Sequence, residues 1–215
     1  VSVFVVAGAL TGGDGVIKTL GKGIVTDTLA PLGVVVALIC GGLFVTAATF
    51  FKVPVSTSQG VVGGVAGVGM AAGLNVDFSK VLTIVECWIL CPILSMIFSY
   101  AIYKVCRLVL SKVKNKTRAD RVLTYLVLGS ACYAAFALGA NNLGNAIGPI
   151  VVLEGVESFI SIGVLTILGA LSIAVGALTF GRGVAETVGK SITRLNLQGA
   201  FAAQMASAFG LHLFS

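Results

Sequence analysis

Along this chain, uncharged apolar stretches alternate with short polar segments. Leu32–Phe51, Val53–Val76, Val122–Leu153, Ser158–Gly181 and Leu195–Ser215 contain no Asp, Glu, Lys or Arg, and Val81–Tyr103 contains one acid, Glu86. A helix needs about 20 apolar residues to cross a bilayer, so each window is long enough to span. The pattern predicts helices over 32–51, 54–74, 81–109, 122–138 and 156–180. The window from Val122 to Leu153 also holds Gly139-Ala-Asn-Asn-Leu-Gly-Asn-Ala-Ile-Gly-Pro149. Asn and Gly favour irregular backbone, and a proline cannot continue a regular helix from behind. Backbone at membrane depth must be bonded internally, buried in protein or lining a watery cavity. A helix ending near Leu138 is therefore expected, followed by a re-entrant segment over 139–153 that forms a polar site, as in transporters. The expected fold class is all-α: a polytopic transmembrane protein with broken or re-entrant helices.

Composition agrees with the pattern. Charged residues are 10% of the chain, against roughly 25% in a soluble domain, and the mean hydropathy is +1.07. The net charge of +6 is concentrated rather than spread. Lys104, Arg107, Lys112, Lys114, Lys116, Arg118 and Arg121 face only Asp120. A short basic connection between spans is the positive-inside signal and places 111–121 in the cytoplasm, where it would meet anionic lipid head groups. No aromatic residue interrupts Lys112–Arg121, so a base-stacking nucleic-acid surface is not expected. Cys40, Cys87, Cys91, Cys106 and Cys132 lie in or beside apolar spans. They form neither a disulfide framework nor a metal-ligand set and read as small packing residues.

The chain repeats itself. Gly8–Ile24 (GALTGGDGVIKTLGKGI) and Gly176–Ile192 (GALTFGRGVAETVGKSI) are identical at 11 of 17 positions without a gap, at an offset of 168 residues. Five predicted crossings between the copies put them on opposite faces, which makes the duplication inverted. Residues 1–110 read as most of a first repeat, 111–121 as the basic cytoplasmic loop and 122–215 as a second repeat. The same offset places partners of the Asn-rich and hydroxyl segments outside the chain, one beyond each end. Val184, Val188 and Ile192 form an apolar stripe in Gly181–Leu195, which predicts an interfacial helix there and another in Gly13–Val25. Arg182 and Arg194 are open to a second role, guiding an anion inward.

The second polar cluster is Pro54-Val-Ser-Thr-Ser-Gln59-Gly60. Pro54 suits the first position of a helix, and Ser56, Thr57, Ser58 and Gln59 would occupy its first turn, where backbone N–H groups lack acceptors. That arrangement is either an anion site or a helix cap. Downstream, Gly60/Gly64, Gly63/Gly67 and Gly69/Gly73 are small-xxx-small pairs that favour close helix packing. The spacing of Gly67, Gly69 and Gly73 misses the dinucleotide fingerprint.

Three segments together carry a family resemblance: Pro54-Val-Ser-Thr-Ser-Gln59 before a glycine-rich helix, Gly139-Ala-Asn-Asn-Leu-Gly-Asn-Ala146, and Gly181-Arg-Gly-Val-Ala-Glu-Thr-Val-Gly-Lys190. In this order they resemble the inorganic phosphate transporter family of secondary carriers. The resemblance implies cation-coupled phosphate uptake, driven by sodium or protons, through two inverted repeats. It maps Ser56, Thr57, Ser58, Gln59, Asn141, Asn142 and Asn145 onto the substrate and ion motifs. Asn142 stands where the family usually has Asp, and Gln59 where it often has His. Asn has no negative charge, which weakens any sodium site near Asn142. The resemblance also embraces sulfate permeases.

Glu86 is the remaining ionisable group inside a span. It is either a proton-coupling residue or satisfied near the interface by Lys80. Asp77, Glu154 and Glu157 fall near span ends, and His212 reads as a packing or capping residue. The expected activity is inward phosphate transport by alternating access, with sulfate as the rival anion. No nucleophile–base constellation marks an enzyme. No cofactor and no nucleic acid are expected. The expected partners are phosphate or sulfate, sodium or a proton, membrane lipids and, as an open arrangement, a second copy in a homodimer. The expected location is the plasma membrane.

Overall fold

The structure is a computed structural model that describes residues 2–12, 17, 23–151, 153, 156–192 and 195–213. In chain order the described elements are α1 (Ser2–Thr11), α2 (Pro31–Phe50), α3 (Thr57–Ala71), α4 (Phe78–Ser111) and α5 (Lys116–Val151), then α6 (Val156–Phe159), α7 (Ile162–Thr179), α8 (Gly181–Glu186), a π-helical turn (Thr187–Ile192) and α9 (Leu197–Leu213). Among the described residues the one β contact is an isolated bridge between Val25 and Val76. Among the described residues four helices, α2, α4, α5 and α7, are long and apolar enough to cross a membrane. No residue of α4 is buried within the protein, as expected of a helix whose apolar side chains face lipid.

Glycine sets the helix contacts. Alpha-two and α3 form an antiparallel hairpin. A Cβ on Gly64 would sit 2.6 Å from the Ala37 carbonyl oxygen, and one on Gly60 would sit 3.1 Å from Phe44. Of the small-residue pairs, Gly60/Gly64 faces α2 and Gly69 packs against Val25 and Val76, whereas Gly63 and Gly67 face open space. The hairpin core is Ala37, Val61, Val62 and Val65 with Ile24 and Val25. At the other contact, Gly8 and Gly139 let the α1 and α5 backbones touch: a Cβ on Gly8 would collide with the Phe136 carbonyl, and one on Gly139 with the Val5 carbonyl. Alpha-nine lies between α4 and α5, with Gly210 against Cys91 and Ser95 and Phe209 edge-on to Phe98.

The structure corrects several expectations. Alpha-five runs as one 36-residue helix from Lys116 through Gly139–Pro149 to Val151, so the chain neither breaks near Leu138 nor re-enters over 139–153. Gly139 serves close packing with α1, and the asparagine side chains bond sideways, so the backbone keeps its own helical ladder. Alpha-three begins at Thr57 with Ser56 as its N-cap, leaving Pro54 outside the helix. At 15 residues, about 22 Å, α3 is shorter than the hydrocarbon core, so counting five full crossings does not hold. The opposed copies rest on contacts instead. Ile24 accepts from Asp77 N at the end of the hairpin where α2 starts. Gly183 lies against the Lys52 side chain at the other end, one 20-residue helix away.

The basic segment is mostly helical: α4 ends at Ser111 and α5 starts at Lys116, leaving 112–115 as the connection. Asn115 Oδ1 accepts from Arg118 N at 3.1 Å, and Asp77 Oδ1 accepts from Lys80 N at 3.0 Å to cap α4. Gly181–Leu195 is not one regular helix, because α8 gives way to the π-helical turn at Thr187. Its apolar stripe is half-buried at Val184 and exposed at Val188. The corresponding first-copy helix over Gly13–Val25 falls largely outside the described residues.

Candidate functional site

Two elements meet at the site. Alpha-three supplies its first turn and α5 its C-terminal third. Ser56 caps α3 by accepting from Gln59 N at 3.4 Å. The capping reading therefore holds for Ser56, while Ser58 is left free to reach across. Asn145 Nδ2 donates to Ser58 Oγ at 2.9 Å and to Asn141 Oδ1 at 3.3 Å. Asn141 and Asn145 share a face because they are four residues apart on a continuous helix. Asn142 is turned away from that face, half-buried, and outside this hydrogen-bonded group.

Asn145 is 1% exposed, and its Oδ1 is buried without a hydrogen-bond partner. A buried orphan acceptor costs about 1–3 kcal/mol. The residue at i+4 is Pro149, which has no N–H, so the Asn145 backbone carbonyl also lacks its usual i+4 donor. The site thus pairs hydroxyl and amide groups with acceptors that call for a donor or a cation. None of Ser56, Thr57, Ser58, Gln59, Asn141, Asn142 and Asn145 is ionisable.

The structure joins Ser58, Asn141 and Asn145. Ser56 and Thr57 are half-buried beside them in the same turn, whereas Gln59 is exposed. Glu86 is exposed on α4 and is not bonded to the group. His212 meets the Tyr133 ring at 6.5 Å between centroids, a packing contact at the α9–α5 interface. Sequence reasoning missed Gln204, whose Oε1 accepts from Ser130 Oγ at 2.7 Å between α9 and α5. A polar residue in each of two apolar spans was the available signal. Among the described residues no cluster of three His, Cys, Asp or Glu is placed to hold a metal.

A duplicated multi-pass helical membrane protein with a neutral, hydrogen-bonded polar group between helix segments has the architecture of a transporter. The chain belongs to the phosphate transporter family, whose description matches residues 1–215. It is 35% identical to a sulfate permease of Bacillus subtilis over 196 residues, covering 91% of this chain and 54% of that protein. It is 26% identical over 282 positions to a Thermococcus kodakarensis protein whose phosphate-permease name is provisional, covering 94% of this chain and 70% of the relative. A solved sodium-dependent phosphate transporter shares the fold, with a TM-score of 0.86 and 23% identity over 99% of this chain and 73% of that one. The chain therefore spans about half the length of the sulfate permease.

Proposed function

We propose that this chain forms part of a carrier that moves inorganic phosphate across the membrane with a coupling cation, and that Ser58, Asn141 and Asn145 contact the anion or that cation. The observation that carries the reading is the Asn145–Ser58 bond of 2.9 Å beside an unpartnered, buried Asn145 Oδ1. A tetrahedral oxyanion in a dry pocket needs several donors, and the α3 first turn with its hydroxyls supplies them. The orphan acceptor needs something else. Phosphate retains a proton near neutral pH and can donate it, and sodium can be ligated by the same oxygen. Because the pocket residues carry no charge, the dianion's charge has to be balanced by the ion that enters with it. Membership of the phosphate transporter family supports the substrate class.

Sulfate is the second reading, favoured by the 35% identity to a sulfate permease and by the neutral Asn142. Sulfate has no proton to donate to Asn145 Oδ1, so under this reading the coupling cation alone satisfies it. Competition between radiolabelled phosphate and sulfate, in liposomes holding the intact protein under imposed sodium or proton gradients, separates the two. Phosphate uptake driven by either gradient is the expected result. Sulfate uptake that excess phosphate leaves untouched would reassign the anion, and uptake indifferent to both gradients would remove the coupling.

A further inference from the structure

We infer that Lys52 draws the oxyanion toward the Ser58–Asn145 group, a role that rests on the carrier reading above. The side chains of that group are neutral, so attraction at a distance has to come from elsewhere. Lys52 is the only Asp, Glu, Lys or Arg between Asp27 and Asp77. It stands four residues before the Ser56 cap, and four extended residues reach at most about 14 Å.

Two structural features set this lysine apart. Its φ is 58°, and among the described non-glycine residues it alone has a positive φ. It follows the α2 C-cap Phe51 and donates its N–H to Thr49 O at 2.9 Å. This is the position after a helix where glycine is usual, because a Cβ in the left-handed region is disfavoured. A residue held in such a conformation points to a use for its side chain. The second feature is that use: the Lys52 stem lies along Gly183, with Cγ 3.5 Å and Cδ and Cε 3.8 Å from where a Cβ would be. Packing against Gly183 of the second copy engages the stem at the end of α2, four residues along the chain from the Ser56 cap, and Arg182 adds a second cation next to Gly183, although it pairs with Glu186 at 3.2 Å. Lysine at this position also complements the α2 dipole. That purely structural role predicts a change in stability and none in anion affinity.

The test measures anion uptake by the intact protein in liposomes at low and high ionic strength, for the parent, Lys52→Met, Lys52→Gly and Lys52→Arg. Loss of the charge in Lys52→Met or Lys52→Gly is expected to raise KM about three- to tenfold at low salt with Vmax unchanged. The same variants should lose the salt dependence of KM, because screening acts on the charge they lack. Lys52→Arg should retain both. The glycine variant fits the left-handed backbone without strain, so it reports even where Lys52→Met folds poorly. An unchanged KM in Lys52→Gly, or a fall in Vmax alone, overturns this role while leaving the carrier intact. Absence of phosphate and sulfate uptake by the parent would instead overturn the carrier reading, and the role of Lys52 with it.

Discussion

At Asn145 one amide makes two hydrogen bonds while its oxygen makes none, so this residue is the most sensitive probe of the candidate site. Asn145→Ala is expected to raise the uptake KM by about tenfold or more, equivalent to ~1.4 kcal/mol, since it removes a donor and frees Ser58. Asn142→Ala is expected to cost less, because Asn142 lies outside the bonded group. Kinetics on the two variants side by side check this, and a larger loss at Asn142 would move the site onto the other face of α5. The asparagines and serines were legible in the sequence as a polar cluster in apolar surroundings. Which asparagine faces Ser58 was not, because that depends on the helix phase at 141 and 145 and on how α3 approaches.

Helix contacts here are made by glycines that the sequence shows only as a repeated small residue. A Cβ at Gly139 or Gly8 meets a backbone carbonyl, which cannot swing aside. Gly139→Ala is therefore expected to destabilise the α1–α5 pair by roughly 1–3 kcal/mol or to prevent folding. Gly63→Ala, which meets nothing within 4 Å, should be neutral or slightly stabilising through helix propensity. Thermal melting in detergent, or the yield of monodisperse protein, distinguishes them. The Ser130–Gln204 bond joins α5 to α9 in the same way. Gln204→Ala should lower stability by about 0.6–2 kcal/mol, in line with hydrogen bonds between membrane helices. The continuity of α5 belongs to this scale too. Asn, Gly and Pro149 argue locally for a break, but close packing through Gly139 and lateral amide bonds remove the reason for one.

For the whole molecule, the basic connection at 112–115 and the helix ends beside it are expected to face the cytoplasm. With the five native cysteines replaced, Lys114→Cys should resist a membrane-impermeant thiol reagent in intact cells and react after permeabilisation; labelling in intact cells would invert the assignment. The membrane character, the approximate helix positions and the duplication are all determined by the sequence alone. Hydropathy over 20 residues and identity at a fixed offset are properties of the chain read along its length, and lipid rewards them wherever the segment ends up. The unbroken α5, the shortness of α3 beside α2, the meeting of Ser58 with Asn145 and the seat of Lys52 on Gly183 were decided only in three dimensions. Each depends on which partner satisfies a polar group or admits a close backbone, and residues 87 or 131 positions apart along the chain supply those partners.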